Sequence, residues 1–412
     1  MQAIRMALIG AGNRGRGVFG QYALDMPHRA KFVAVVEPDE KRRDAFAAEH
    51  SIFPDKCFDN YDDFFANRDE SIDAVVIATV EDNRKAPIFK AMKQGYHLLV
   101  EKPLGTNQEE VIEICRSASD YDKVFMVCHQ MRYTPLYNTL KSLIDSGHYG
   151  SVISIQHSEN LSYHHMAHSF VRGLFNSSKL TPMILAKSCH DMDLIKWLAY
   201  GRRASVSSFG SLMHFKPENA PAGSAKMCLD GCSVERNCPY SALKIYFNDK
   251  TDPAYLRQMG SPQTKEELRN LLAKNQYGRC VYHCDNDVVD NQVAIINFDN
   301  GVSASFAMVG HNAIERRITK VSLTNGELEL DVTSGHVKTW TFEPLAENVI
   351  TPAGTNNSHL GGDAAIMDGF TDAISSGEFK NVLTPVDMSL DSHLMAFAAE
   401  EARITGKVVD IA

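Results

Sequence analysis

Gly10-Ala11-Gly12-Asn13-Arg14-Gly15 follows the apolar run Ile4–Ile9 directly and opens a segment of helical character. Glycines at this spacing, between a strand and a helix, let backbone N–H groups close on a pyrophosphate. Gly10 permits the tight turn, Gly12 the close approach of phosphate, and Gly15 the packing of helix on strand. Asn13 and Arg14 lie inside the same turn and join the candidate cofactor set. Glu37 stands 22 residues beyond Gly15, where the second apolar run ends. A carboxylate there accepts hydrogen bonds from ribose hydroxyls and repels a 2′-phosphate, which favours NAD over NADP even with Arg42 and Arg43 nearby. The bland alternative is a glycine-rich turn that binds nothing.

Two further groups carry reactive side chains. His157, His164, His165 and His168 fall in one stretch with Tyr163 and Arg172. Directional donors and acceptors beside an aromatic face suit a carbohydrate, so Tyr163, His165, His168 and Arg172 are candidate substrate contacts. His165 and His168, three apart on one helical face, also have a metal-ligand spacing, and scaffold roles are the third reading. Five of the nine cysteines, Cys228, Cys232, Cys238, Cys280 and Cys284, cluster in an insertion around residues 220–285. Their spacing is not a C-x-x-C ribbon, yet four thiolates could surround one structural Zn²⁺. Reduced, buried thiols are the alternative, and a disulfide framework is disfavoured because no export signal is evident.

The elements that must position these groups alternate in the first half. Apolar runs at Ile4–Ile9, Phe32–Val36, Ala74–Ala78, Leu98–Val100 and Val124–Val127 read as strands buried on both faces. Helical periodicity separates them at Ala86–Gln94 and Glu109–Ser119. The expectation is a doubly wound parallel α/β sheet over residues 1–128. The remainder, 129–412, changes character after a helix at Pro135–Ser146. Asp299-Asn300-Gly301 and Thr324-Asn325-Gly326 punctuate strand-like runs as hairpin turns. Thr264 with Glu267 forms a capping box for an inserted helix over 262–276. This half reads as α+β with a large, mainly antiparallel open sheet.

Glu101-Lys102-Pro103 closes the fourth strand, Ala78-Thr79 the third; Arg132-Tyr133-Thr134-Pro135 enters the linking helix, and His190-Asp191-Met192-Asp193 comes later. Together these resemble the Gfo/Idh/MocA oxidoreductase family, over nearly the whole chain. The resemblance implies a Rossmann domain followed by a substrate and oligomerisation domain, with Thr79, Glu101 and Lys102 beside the cofactor. It implies hydride transfer between nicotinamide and a sugar, glycoside or polyol alcohol, in a homodimer or homotetramer. Loss of hydride from an alcohol carbon needs a base for its proton; His190 suits that role, and Lys102 would donate to the same oxygen. Asp193, on the face of His190, would orient the ring or bind a hydroxyl. The chain departs from the pattern at Val80-Glu81, at Arg84 where many members carry His, and at Ala186 where many carry Asp. Lys187 stands next to that missing acid and is a further substrate candidate. A subset of the family carries a similar Cys-rich insertion. His359-Leu360-Gly361-Gly362-Asp363 is expected to add a polar loop to the cleft. A glycosidase or lyase using transient sugar oxidation, and a non-catalytic NAD-responsive binding protein, are the competing readings.

Composition narrows the classes further. The chain has 412 residues, 44% apolar and 23% charged, which excludes a disordered chain, a coiled coil and a collagen-like rod. A net charge of −9, spread without basic blocks, argues against a phosphate-backbone grip on nucleic acid. No apolar run reaches the roughly 20 residues of a membrane span. The N-terminal run reads as a strand rather than a signal peptide, so the expected setting is cytoplasmic and the partner a small molecule.

Overall fold

The computed structural model describes residues 2–354, 361–379 and 382–411. His359 and Leu360, assigned above to a polar loop, lie outside them. Six strands form the first sheet: β1 Ile4–Ile9, β2 Ala30–Val36, β3 Cys57–Phe58, β4 Ala74–Ile77, β5 His97–Val100 and β6 Phe125–Val127. Their order is β3-β2-β1-β4-β5-β6, and every neighbouring pair is parallel. All four residues of β4 are buried, as unbroken Val/Ile runs require when helices cover both faces. Helices Glu40–His50, Lys85–Lys93 and Gln108–Ser117 supply that cover. Asp39 and Asn107 start the first and third by accepting from the N–H groups of Arg42 and Glu110, which satisfies otherwise orphaned donors. The strand order reverses between β1 and β4, and that switch point opens a crevice at the carboxyl ends of the strands.

The turn Gln130–Tyr133 and helix Pro135–Asp145 lead into the second half. Nine strands follow: β7 Val152–Ser162, β8 Ala204–Ser211, β9 Asn291–Phe298, β10 Ser303–Asn312, β11 Arg316–Leu323, β12 Gly326–Asp331, β13 His336–Phe342, β14 Leu345–Ile350 and β15 Val409–Ile411. They pair in the order β14-β13-β12-β11-β7-β10-β9-β8-β15. The sheet is antiparallel except where β7 runs parallel to β10. Both Asn-Gly sequences sit at the expected hairpins, β9–β10 and β11–β12. Along β9 burial alternates: Gln292, Ala294, Ile296 and Phe298 point inward, while Val293 and Ile295 are exposed, the two-residue period of a half-covered sheet.

The expected inserted helix spans Lys265–Leu272, with the Thr264 hydroxyl accepting from Glu267 N at 3.1 Å. Two late helices tie the halves together. Helix Gly362–Ser376 returns to the first sheet, where Ile366, Met367 and Phe370 share a core with Met6, Leu8, Phe32 and Val35. Helix Val386–Thr405 packs Met395, Ala396 and Ala399 into the second core. It also carries His393, whose Nε2 accepts from Leu104 N at 3.0 Å. The crevice is therefore walled from both halves.

Candidate active site

Each glycine of the first turn has its own reason to be glycine. Gly10 has φ +96°, and a Cβ there would lie 2.8 Å from the Ala78 backbone. A Cβ on Gly15 would lie 2.0 Å from the Gly10 carbonyl oxygen, whereas Gly12 faces open space. The helical turns Gly15–Gly20 and Gln21–Asp25 run on from the loop. Glu37, buried at the end of β2, accepts from Ala11 N at 2.8 Å and from Asp39 N at 3.1 Å. Asn13 Oδ1 accepts from Arg257 Nε at 3.0 Å. Arg14 reaches Glu101 Oε1 at 2.6 Å and Asp363 Oδ1 at 2.9 Å, so it braces the loop against β5 and the late helix. Thr79, at the end of β4, lies against Gly10. Its carbonyl accepts from Arg84, which also donates to the Pro103 carbonyl. Arg84 thus knots the ends of β4 and β5.

Lys102 crosses to the second half. Its Nζ donates to the Ala186 carbonyl at 2.7 Å, four residues ahead of His190 at the start of helix Cys189–Ala199. His190 is 7% exposed and meets the His129 ring edge-to-face, centroids 5.9 Å apart. His129 in turn meets His393 at 5.7 Å. His129 is fully buried; burial, together with the charges of Arg132 and Lys102, holds its pKa well below the ordinary imidazole value. His393 donates from Nδ1 to Ser389 O at 2.6 Å while its Nε2 accepts, the arrangement of a neutral ring. Burial pushes its pKa down to about 3. Asp193 differs from expectation. Both its oxygens take N–H groups of Arg132 at 2.7 Å, with both side chains 1% exposed. It anchors the helix that carries His190 rather than orienting the ring.

Beside Lys102 lies a charged network. Lys187 Nζ is 3.1 Å from Glu315 and 3.3 Å from Glu159. Arg317 is 2.6 Å from Glu159 and 2.7 Å from Asp191, and His157 Nε2 is 2.9 Å from Asp191. His165 Nδ1 meets Glu315 at 2.8 Å. Burial alone would raise the Glu315 carboxyl, but Lys187 and His165 outweigh it and hold the group well below the usual range. His165 is half-buried, and so is Tyr163, whose ring meets those of His164 and Tyr240. The helical pattern that singled out the histidines did not reveal Glu159 and Arg317. They are register partners on β7 and β11, an opposite-charge cross-strand pair visible only once the sheet is paired.

His168 and Arg172, expected to face substrate, do not. His168 is fully buried, its ring stacked between Tyr255 at 3.8 Å and Tyr277 at 4.8 Å. Its nitrogens meet Tyr246 OH and Gln258 Oε1 at 2.9 and 3.0 Å, so neither remains for a metal or a sugar. Arg172, 1% exposed, donates to the carbonyls of Arg279 and Tyr240 and to Cys228 Sγ. It lines a cavity with Cys228, Cys232, Cys238 and Cys280, while Cys284 Sγ donates to the Cys280 carbonyl. All nine cysteines are free thiols. Among the described residues no three His, Cys, Asp or Glu side chains gather closely enough to hold a metal ion. The tetrahedral zinc expectation therefore does not fit this arrangement.

Strand order, glycine loop and buried acid define a Rossmann-type dinucleotide-binding domain. Residues 4–129 match the oxidoreductase family with an NAD-binding Rossmann fold, Gfo/Idh/MocA. Over 261 residues the chain is 21% identical to the putative oxidoreductase YteT of Bacillus subtilis, covering 62% of this chain and 60% of that protein. Over 206 residues it is 27% identical to an inositol 2-dehydrogenase of Corynebacterium glutamicum, covering 50% and 57%. The chain thus spans less than two thirds of these relatives' length. Levoglucosan dehydrogenase, solved with NADH and levoglucosan, superposes with a TM-score of 0.72 at 17% identity, over 100% of both chains. That likeness shows a shared fold. Among the described residues no helix is long and apolar enough to cross a membrane.

Proposed function

We propose that the protein is an NAD-dependent oxidoreductase that moves a hydride between nicotinamide and a secondary alcohol of a sugar, glycoside or polyol. The observation that carries this is the reach of Lys102. From the carboxyl end of the dinucleotide sheet it hydrogen-bonds Ala186 O, four residues before His190. That contact ties the loop after β5 to the segment leading into the His190 helix, which supports an ammonium and an imidazole working on one substrate oxygen. His190 accepts the hydroxyl proton as hydride leaves, and Lys102 holds the developing negative charge on oxygen. The bound dinucleotide supplies the hydride acceptor, and Gly10, Gly12, Asn13, Gly15, Glu37 and Thr79 would hold it. Tyr163, His165, Lys187 and Glu315 form the polar wall offered to a hydroxyl-rich substrate. The inositol and levoglucosan activities named for its relatives support this substrate class.

The test is to incubate the purified protein with NAD⁺ and a panel of inositols, sugars and glycosides, following NADH and released aglycone together. Stoichiometric NADH with a polyol is the expected result. Aglycone release without NADH would replace the dehydrogenase reading with redox-neutral cleavage. No hydride exchange with any member, despite NADH binding, would refute the reading.

A further inference from the structure

We infer that Arg257 is a phosphate-binding residue of the dinucleotide site, supplied by the Cys-rich insertion rather than by the Rossmann sheet. The inference rests on the reading of Gly10–Gly15 as the cofactor loop. Arg257 lies on the short helix Pro253–Gln258, which Asp252 begins by accepting from Ala254 N at 2.8 Å. That helix is mounted rigidly. Tyr255 stacks on the buried His168 ring, Gln258 Oε1 bonds the same ring, and Met259 is buried beneath. The opposite side of the helix turns Arg257 outward over the glycine loop. Its Nε donates to Asn13 Oδ1 at 3.0 Å, and its guanidinium comes within 3.9 Å of the position a Gly17 Cβ would take.

Charge decides what this arginine is for. The arginine of the loop and the one that follows it are already paired, Arg14 with Glu101 and Asp363, Arg16 with Glu49. Among the described residues no carboxylate lies within ion-pair distance of Arg257, and the side chain is exposed. Among the described residues its one side-chain hydrogen bond runs from Nε to the neutral amide of Asn13, so its charge is unmatched beside the start of the loop's helix. A Cβ on Gly12 would meet nothing within 4 Å, which leaves the face of the loop open to a ligand. A dinucleotide pyrophosphate presents its negative oxygens at that position. The fork of a guanidinium matches two such oxygens. The insertion therefore clamps the cofactor from the side opposite the backbone N–H groups.

The experiment is binding, not turnover: titrate NADH, ADP-ribose and adenosine into the wild-type protein, Arg257→Ala and Arg257→Lys at two salt concentrations. A charge-assisted contact of this kind corresponds to a loss of about ten-fold or more in affinity. Arg257→Ala is expected to show that loss for NADH and ADP-ribose, with a flatter salt dependence, and no loss for adenosine. Arg257→Lys recovers part of it. Equal NADH affinity for wild type and Arg257→Ala would overturn this inference alone. Failure of the wild-type protein to bind NADH would overturn the cofactor reading and this inference with it.

Discussion

Replacing Asp193 with asparagine tests whether that residue is a strut or a substrate contact. The carboxylate takes two N–H groups of Arg132 at 2.7 Å, and both side chains are 1% exposed. Asp193→Asn keeps the shape and deletes one charge. It leaves the buried guanidinium with no counter-charge: one amide oxygen and the Leu383 carbonyl, at 2.9 Å, still accept, while an NH2 donor replaces the second carboxylate oxygen. Breaking one side of a buried pair costs about 3–5 kcal/mol. At roughly 2–4 °C per kcal/mol for a large cooperative unit, the melting temperature falls by about 6–20 °C. Urea denaturation and thermal melts followed by circular dichroism measure this directly. Arg132→Met combined with Asp193→Leu is expected to regain most of the loss, because an apolar pair of similar volume tolerates burial where a lone charge does not. A single variant within about 1 kcal/mol of wild type, with KM for an active polyol raised instead, would refute the strut and restore the substrate role.

Lys102→Met is expected to lower hydride transfer by about 10²–10³ while leaving NADH affinity nearly unchanged; wild-type turnover would remove Lys102 from the site. Burial holds His168 and His393 down to about 3, and His50 and His97 down to about 4. Unfolding restores them to about 6.5, so the unfolded chain binds more protons below that pH. Stability from these four rings is fully present above pH 6.5 and is lost as pH falls toward 4 and then 3. Melting temperatures that stay flat from pH 7 to 4 would contradict this. Burial pushes the Cys284 thiol up to about 11 and raises Cys238 and Cys280. Native thiol titration near neutral pH should therefore show these three reacting slowly and then rapidly on denaturation. Stoichiometric zinc in the purified protein would instead show that their loops close around a metal.

The first sheet was legible because its signals are local. Val75-Val76-Ile77 is apolar at every position, Gly10 needs a left-handed backbone, and Glu37 sits a fixed distance along the chain. The hairpins at Asn300-Gly301 and Asn325-Gly326 were readable for the same reason. The site was harder where its chemistry depends on register and burial. His165 and His168 look alike in sequence, yet one meets Glu315 at the cleft and the other is sealed between two tyrosines. Arg317 and Glu159 lie 158 residues apart and meet only because β11 pairs with β7. His129, His393 and Arg257 gave no motif at all, since each gains its setting from an element far away in the chain.

The hydrogen bond from Ala11 N to Glu37 has a consequence for how cofactor preference can change. The acid proposed to read the ribose also anchors the glycine loop. Admitting a phosphorylated ribose requires exchanging Glu37 for a smaller or basic residue, and that same exchange strands a buried backbone N–H. Such a donor costs about 1–3 kcal/mol when left unmet. The path from one nicotinamide cofactor to the other thus runs through an intermediate whose loop is poorly held. A second change, one that gives Ala11 a new acceptor, has to come first or together with the exchange.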